Sequence, residues 1–412
     1  MHNGLSLLAP RMTDAPLIPP PDRGSAAEVF RVFLRLGLLS FGGPIAHLGY
    51  FHTEFVQRRR WCSEETFAEI VAIAQSMPGP ASSQVGFALG LLRAGWPGGI
   101  AAWTAFTMPS ALLMLAFAFG HQLLTGSLGL GVVHGLQLVA VAVVAQAILS
   151  MRKSLAPDAP RIALALAAAA IVFFSFGTLL AIVAGAFAGL LLPRPPQLTP
   201  AHPLAFHLPR PVGFAAAALL LALLPILHIA AALSKSQPVA VFNAFYRTGA
   251  LVFGGGHVVL PLLESAVVAT GWVDQQTFLS GYGAAQALPG PLFTFAAYLG
   301  AAIRPSAHPV LLSALALIAI FLPGLLAVVA VLPFWSHLRQ RPLVQAALRG
   351  INAAVVGVLI AAFLRPVCSS ALHSFFDSVV AVTALVALLR WKLPPWLIVI
   401  AVAALSALAA IA

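Results

Sequence analysis

The chain has 412 residues, 60% of them hydrophobic and only 8% charged, with a mean hydropathy of +0.97. Soluble proteins carry about 25% charged residues, so this composition excludes a soluble domain and marks a polytopic membrane protein. The formal net charge of +11 follows from basic cytoplasmic loops facing anionic lipid, with an anionic substrate as a second source and no nucleic-acid partner expected.

Residues 1–28 are proline-rich, interrupted by Asp14, Asp22 and Arg23, and lack the apolar core of a signal peptide, so they read as a disordered tail. Apolar spans then follow closely. Val29 to Tyr50 is interrupted at Gly42-Gly43-Pro44. A polar loop holding Arg58-Arg59-Arg60 leads into Phe67 to Leu92, interrupted at Pro78-Gly79-Pro80. Gly98 to Gly120 and Gly129 to Met151 come next. The run Ile162 to Leu192 suits two short helices joined near Phe176-Gly177, since one crossing takes about 20 residues. A Pro-rich linker, Pro193 to Pro211, precedes the apolar stretch Val212 to Ala231.

The second half replays the pattern. Val241 to Leu263 is broken at Gly254-Gly255-Gly256, and Phe278 to Ala302 at Pro289-Gly290-Pro291. Val310 to Trp335, Val344 to Leu364 and Ser374 to Ala412 follow, the last divided by Pro394-Pro395. Phe41 and Phe253 stand 212 residues apart; Gln75 and Gln286, like Pro78 and Pro289, stand 211 apart. Pro109 answers Pro323, and His134 and Gln137 answer Arg349 and Asn352. Such spacing marks a duplicated unit. The expected organisation is a tail (1–28), a first repeat (29–192), a linker with an unpaired helix (193–238) and a second repeat (239–412).

An odd number of spans before the second copy would invert it, and the loop charges agree. Arg58 to Arg60, Arg152, Lys153 and Arg161 fall where the second copy holds mostly Glu264, Asp274, Arg365 and Asp377. Conversely, Arg339, Arg341, Arg390 and Lys392 fall where the first copy is bare. Basic residues face the cytoplasm, so the copies are oppositely oriented. Putting both basic clusters of the first copy on one side requires the Pro78 and Pro289 segments to be re-entrant. The expected fold class is an all-α polytopic membrane protein with two inverted-topology repeats and broken or re-entrant helices, the number of full crossings left open.

Broken backbone is tolerated within a membrane only where protein buries it or where it lines a wet cavity. Each break starts a half-helix whose N–H groups and dipole favour an anion. One such break is accounted for by packing or kinking; four at matching positions point to a site. The candidate binding residues are Phe41, Gly42, Gly43, Pro44, Gln75, Pro78, Gly79 and Pro80, with Phe253, Gly254, Gly255, Gly256, Gln286, Pro289, Gly290 and Pro291 in the second copy. Gln75 and Gln286 offer neutral donors to a tetrahedral anion. Arg35 and Arg247, each six residues before its phenylalanine, either contact substrate or snorkel to the interface. His134, Gln137, Arg349 and Asn352 are candidates for lining the pathway. Glu69, His47, His257 and Glu264 read as loop or interface residues, with proton carriage as the alternative.

No GxSxG, HExxH or P-loop is present, and the triple glycine lacks a dinucleotide-binding context, so no enzyme activity is expected. Cys62 and Cys368 form no CxxC pattern and read as free thiols. No metal or cofactor is expected.

Phe-x-Arg-x-Gly-x-x-x-Phe-Gly-Gly at Phe33 to Gly43, Gln-x-x-Pro-Gly-Pro at Gln75 to Pro80, and their second copies resemble the long-chain chromate ion transporter family over about Val29 to Pro366. The resemblance implies a transporter of the cytoplasmic (inner) membrane that exports chromate and confers resistance, with sulfate as a competing look-alike. Expected partners are the oxyanion and the lipid bilayer, and a homodimer is compatible with the reading. The residues themselves reach only as far as a tetrahedral oxyanion. Uptake of sulfate or another oxyanion, an anion channel and, from another class, a membrane-embedded enzyme are the alternatives. Membrane potential alone could drive export, with proton exchange as an added drive.

Overall fold

The computed structural model describes residues 24–121, 126–174, 177–192, 206, 208–254, 256–339 and 341–411. Most of the expected tail and linker, and Gly255, lie outside this set. Helix α1 (Ala26–Leu39) starts inside the expected tail, because Ser25 accepts from the Glu28 amide as its N-cap. There follow α2 (Gly43–Phe51), α3 (Glu64–Ser76), α4 (Ala81–His121), α5 (Gly126–Leu155), α6 (Ala159–Phe173), α7 (Thr178–Leu191) and α8 (Arg210–Ser234). The second half holds α9 (Gln237–Leu251), α10 (Val259–Val267), α11 (Gln275–Ala285), α12 (Phe295–Ala302) and α13 (Pro309–Val331). It ends with α14 (Trp335–Leu338), α15 (Pro342–Ala362), α16 (Ser369–Ala371), α17 (Phe375–Arg390) and α18 (Pro395–Ala409). No strand occurs among the described residues.

Among the described residues, five helical stretches are long and apolar enough to cross a membrane: Ala81–Gly120, Gly126–Leu155, Arg210–Ser234, Pro309–Leu338 and Pro342–Ala371. The first is bent. Ala94 and Gly95 leave helical φ/ψ, and a Cβ on Gly90 would strike the Gly98 carbonyl across the bend. Residues 81–93 and 96–121 are therefore antiparallel arms.

The short helices form hairpins that begin and end together. Arg93 closes the arm 81–93, and its carbonyl accepts from the Gly24 amide at 3.0 Å. Its guanidinium pairs with Glu28 at 3.2 Å and stacks over Trp61 at 5.4 Å. Arg59, where the segment after α2 ends, lies 3.8 Å from the same Glu28. So α1 and α2 form one hairpin and α3 and 81–93 another, both rooted at residues 24–28, 59–61 and 93. The second half repeats this: Gln237 donates to the Pro305 carbonyl at 2.6 Å, and the Arg304 amide to the Trp272 carbonyl at 3.0 Å.

The two roots lie at opposite ends of the bundle. Arm 96–121 leaves the first root and brings Phe117 to stack on Tyr298, whose hydroxyl donates to the Thr277 carbonyl at 3.0 Å near the second root. The stretch Pro309–Leu338 leaves the second root and, through α14, delivers Trp335 Nε1 to Glu69 Oε2 at 2.7 Å, with Arg339 pairing to the same carboxylate. Glu69 is thus a buried partner at the first root.

The halves are also interleaved. Helices α6 and α7 pack on α15, and α17 and α18 pack on α5. Small residues permit this: Gly135 lies against Ala403, and Gly189 against Gly350. Close backbone approach of this kind is how helices associate without a hydrophobic drive in lipid.

Candidate functional site

The four hairpin tips meet in the middle of the molecule. At each, the second arm starts just after the break. Gly42 (φ +103°) caps α2 and Pro44 sits in its first turn, where its missing N–H costs nothing. Arm 81–93 starts after Pro80, the turn Gly256–Val258 leads into α10, and Leu292–Thr294 leads into α12.

The tips are tied across the halves by a reciprocal exchange. The Gly79 amide donates to the Val252 carbonyl at 2.7 Å, and the Gly290 amide donates to the Ser40 carbonyl at 2.9 Å. Gly79 corresponds to Gly290 and Ser40 to Val252 in the repeat spacing, so each half gives and receives one bond. Gln84 Nε2 adds bonds to the Pro78 and Gly324 carbonyls at 2.8 and 3.0 Å. Ser110 and Thr294 hydroxyls meet at 2.5 Å. The Gly79 and Gly290 amides are therefore committed to protein carbonyls. What these glycines provide is close approach of the tips to the crossing helices: a Cβ on Gly79 would lie 2.7 Å from Gly324 Cα in α13, and one on Gly290 would lie 3.2 Å from the Phe106 carbonyl in arm 96–121.

Two adjoining cavities flank the tips. The smaller, about 330 Å³, is lined by Gly42, Gly43, Pro44, Gln286, Gly290 and the turn Lys392–Pro395, among others. The larger, about 580 Å³, is lined by Gln75, Gly79, Gly254, Asn352, Ser150 and Ser154, among others. Both fall in the range of small-ligand sites, ~300–1,000 Å³. Gly42, Pro44, Gln146 and His257 line both. Gln75 and Gln286, matched in the repeat, thus stand one in each cavity. A Cβ built on Gly43 would meet nothing within 4 Å, so this glycine borders open space.

The remaining candidates sit elsewhere. Arg35 and Arg247 are exposed and line neither cavity. Phe41 packs on Trp396 with ring centroids 6.3 Å apart, and Phe253 packs against the main apolar core. Pro80, Pro289 and Pro291 are buried and Pro78 partly buried, all four within the tips. Gln137 donates to the Gln276 carbonyl at 3.4 Å. His134 meets Asp377 at 2.8 Å. Its repeat counterpart Arg349 lies near Asp158, whose carboxyl is held below its ordinary range by hydrogen bonds from Arg161, with Arg349 acting in the same direction. Of the four pathway candidates, Asn352 lines a cavity.

Sequence reasoning passed over Gln146, Ser150, Ser154 and Lys392 as site residues. His257, read as a loop or interface residue, stands at the junction of the cavities with Nδ1 2.8 Å from the Tyr282 hydroxyl. His47 is buried between Ser82 Oγ and the Ser40 carbonyl, at 3.2 and 3.1 Å.

Set among Leu, Met, Ala and Pro side chains, the polar groups of the lining are nearly all uncharged: amides, hydroxyls and an imidazole, with Lys392 as the one Lys or Arg among the residues lining either cavity. Gln286 Nε2 is buried beside the Tyr282 hydroxyl and makes no other hydrogen bond among the described residues. Neutral donors around broken half-helices suit an anion that must bind and then leave.

Crossing helices, hairpin tips meeting at the centre and a donor-lined cavity on either side define a multi-pass membrane protein of the transporter class. The chain belongs to the chromate transporter family, whose model matches residues 27–190 and again 239–407. It is 29% identical over 387 residues to a probable chromate transport protein of Synechococcus elongatus, covering 92% of this chain and 94% of that one. It is 29% identical over 350 residues to a chromate transport protein of Pseudomonas aeruginosa, covering 83% and 80%. To that of Cupriavidus metallidurans it is 28% identical over 412 residues, covering 95% and 97%. No solved structure matches the chain.

Proposed function

We propose that the protein exports chromate across the cytoplasmic membrane, passing the dianion between the two cavities beside the hairpin tips. The two halves act as inverted repeats, and rocking of one tip pair against the other opens the cavities alternately. The observation that carries this reading is the reciprocal Gly79–Val252 and Gly290–Ser40 exchange, with Gln75 and Gln286 standing in opposite cavities. The double match of one family model to the two halves supports the duplication, and the names of the relatives support the substrate.

Export of a dianion from a negative interior is driven by the potential, about 4.6 kcal/mol per 100 mV for two charges. Proton entry in exchange adds to that drive. Sulfate, a tetrahedral dianion of similar shape, competes, because neutral hydrogen bonds separate near-isosteres weakly. Helix α8, with only 6% of its most apolar window buried, is the face left for lipid or for a second copy in a homodimer.

The test is chromate flux in proteoliposomes with voltage and pH gradients imposed separately. Saturable flux that follows voltage, is inhibited by sulfate and is accelerated by an opposing proton gradient is expected. Flux that rises linearly without saturation would make the protein a channel, and absence of oxyanion flux would overturn the reading.

A further inference from the structure

The exposed arginines leave open what offsets the charge of the anion. Lys392 lines the smaller cavity, whose other lining residues include Gly43, Gln146, His257 and Gln286. No other Lys or Arg lines either cavity. Lys392 makes no ion pair among the described residues, so no described carboxylate neutralises its charge.

Its backbone is equally telling. Lys392 has φ +52°, a left-handed conformation that glycine adopts freely and that a side chain makes costly. It sits in the turn between α17 and α18, braced by Pro394 and Pro395 and by the Leu393 amide bonded to the Ala387 carbonyl at 3.3 Å. A turn that would accommodate glycine without strain instead holds a lysine, which is exposed as the arginines are but, unlike them, lines a cavity. The sequence at the matching place in the first half, Phe173 to Gly177, contains no charged residue, and Lys392 lines the smaller cavity alone. An ammonium on a flexible stem attracts an oxyanion as a point charge, without the fixed fork of arginine.

We infer that Lys392 is the fixed positive charge that draws the tetrahedral dianion into the smaller cavity, making that cavity the higher-affinity of the two. The inference rests on the transport reading and names a residue within it. Charge in a cleft raises the local concentration of a counter-ion, and ionic strength weakens this.

The experiment measures initial chromate rate against concentration for the full chain in proteoliposomes, comparing the parent with Lys392→Arg, Lys392→Gln and Lys392→Gly. Glycine suits the turn, so Lys392→Gly removes the charge while favouring the backbone, and it keeps the test valid if the glutamine variant fails to fold. Lys392→Gln and Lys392→Gly should raise KM about ten-fold at low salt, the size of a lost charge-assisted contact, while Lys392→Arg stays near the parent. Raising salt should increase the parent's KM and leave that of the glycine variant nearly unchanged. A transporting parent whose glycine and glutamine variants keep its KM and its salt dependence overturns the inference alone. A parent that moves no oxyanion overturns the transport reading and the inference with it.

Discussion

Pro44 and Gly256, which occupy the same place in the two halves, lie against each other at the junction of the cavities: a Cβ on Gly256 would come within 3.3 Å of Pro44 Cγ. Both residues line the larger cavity, and Pro44 also lines the smaller one. The divergence of the two glycine motifs is therefore complementary, a ring on one side fitting the space left on the other. Gly256→Ala should tighten this contact and slow transport about ten-fold, within the ~1–3 kcal/mol of overpacking. Pro44→Gly combined with Gly256→Ala should recover most of the rate. Initial chromate rates of the single and double variants, normalised to inserted protein, check this; failure of the double variant to recover would show that the two positions act independently.

The tip glycines should be intolerant for a structural reason, and unequally so. Gly79 has φ +118° and its added Cβ would meet Gly324 Cα at 2.7 Å. Gly290 has φ +89°, but its nearest neighbours, the Phe106 carbonyl and Ser110 Cβ, would lie at 3.2 Å. Both variants to Ala carry a backbone penalty, ~1–2 kcal/mol for a left-handed residue, and Gly79→Ala adds a backbone clash. Thermal unfolding in detergent should rank Gly79→Ala well below Gly290→Ala, with both below the parent. Equal melting temperatures for the two variants would contradict the tip packing described above.

Much of this architecture is written in the residues that break helices. Glycine and proline mark the tips because glycine takes left-handed turns without strain and proline suits the first helical positions, and Ser63 and Asp274 mark matched helix starts because each caps one, accepting from Thr66 and Thr277 amides. The division of Ile162 to Leu192 into α6 and α7 followed from length alone. The site was less legible. Gln146 and Lys392 reach the cavities only because α5 and the α17–α18 turn pack across the halves, an arrangement that spacing along one chain does not encode. The bend at Ala94–Gly95 left a readable signal in Gly95-Trp96-Pro97-Gly98, and the intolerance of Gly79 for a side chain traces to Gly324, far away in sequence.

The opposed hairpin roots predict opposite accessibility. Ser63 and Asp274 are N-caps, and replacing a cap costs about 1 kcal/mol, so their exposed neighbours Gln57 and Thr270 are better labelling sites. Burial pushes the Cys62 thiol up to about 12, which keeps it slow toward maleimide at neutral pH. In sealed, right-side-out vesicles Gln57→Cys and Thr270→Cys should react with an impermeant maleimide from opposite faces. Labelling of both from one face would rule out the inverted arrangement.

Arg35 and Arg247 should prove dispensable for anion binding, and the helical period explains why. In α1 the buried residues include Phe33 and Gly37, and Arg35 lies two positions from each. At 3.6 residues per turn that is about 200° around the helix, on the face turned away from the packed interior. Helix α9 repeats the geometry, with Phe245 and Gly249 buried and Arg247 exposed between them. An arginine on the outer face of a membrane helix is costly, about 2.5–3.5 kcal/mol near the helix centre and less where the side chain reaches the interface. Arg35→Gln and Arg247→Gln should therefore leave the chromate KM within about two-fold of the parent, a shift below ~0.5 kcal/mol, and melt no lower. The contrast with Lys392→Gln in the same assay is the decisive comparison. A ten-fold rise in KM for either arginine variant, with melting unchanged, would place that guanidinium in the anion's path and withdraw the assignment of the two cavities as the binding site.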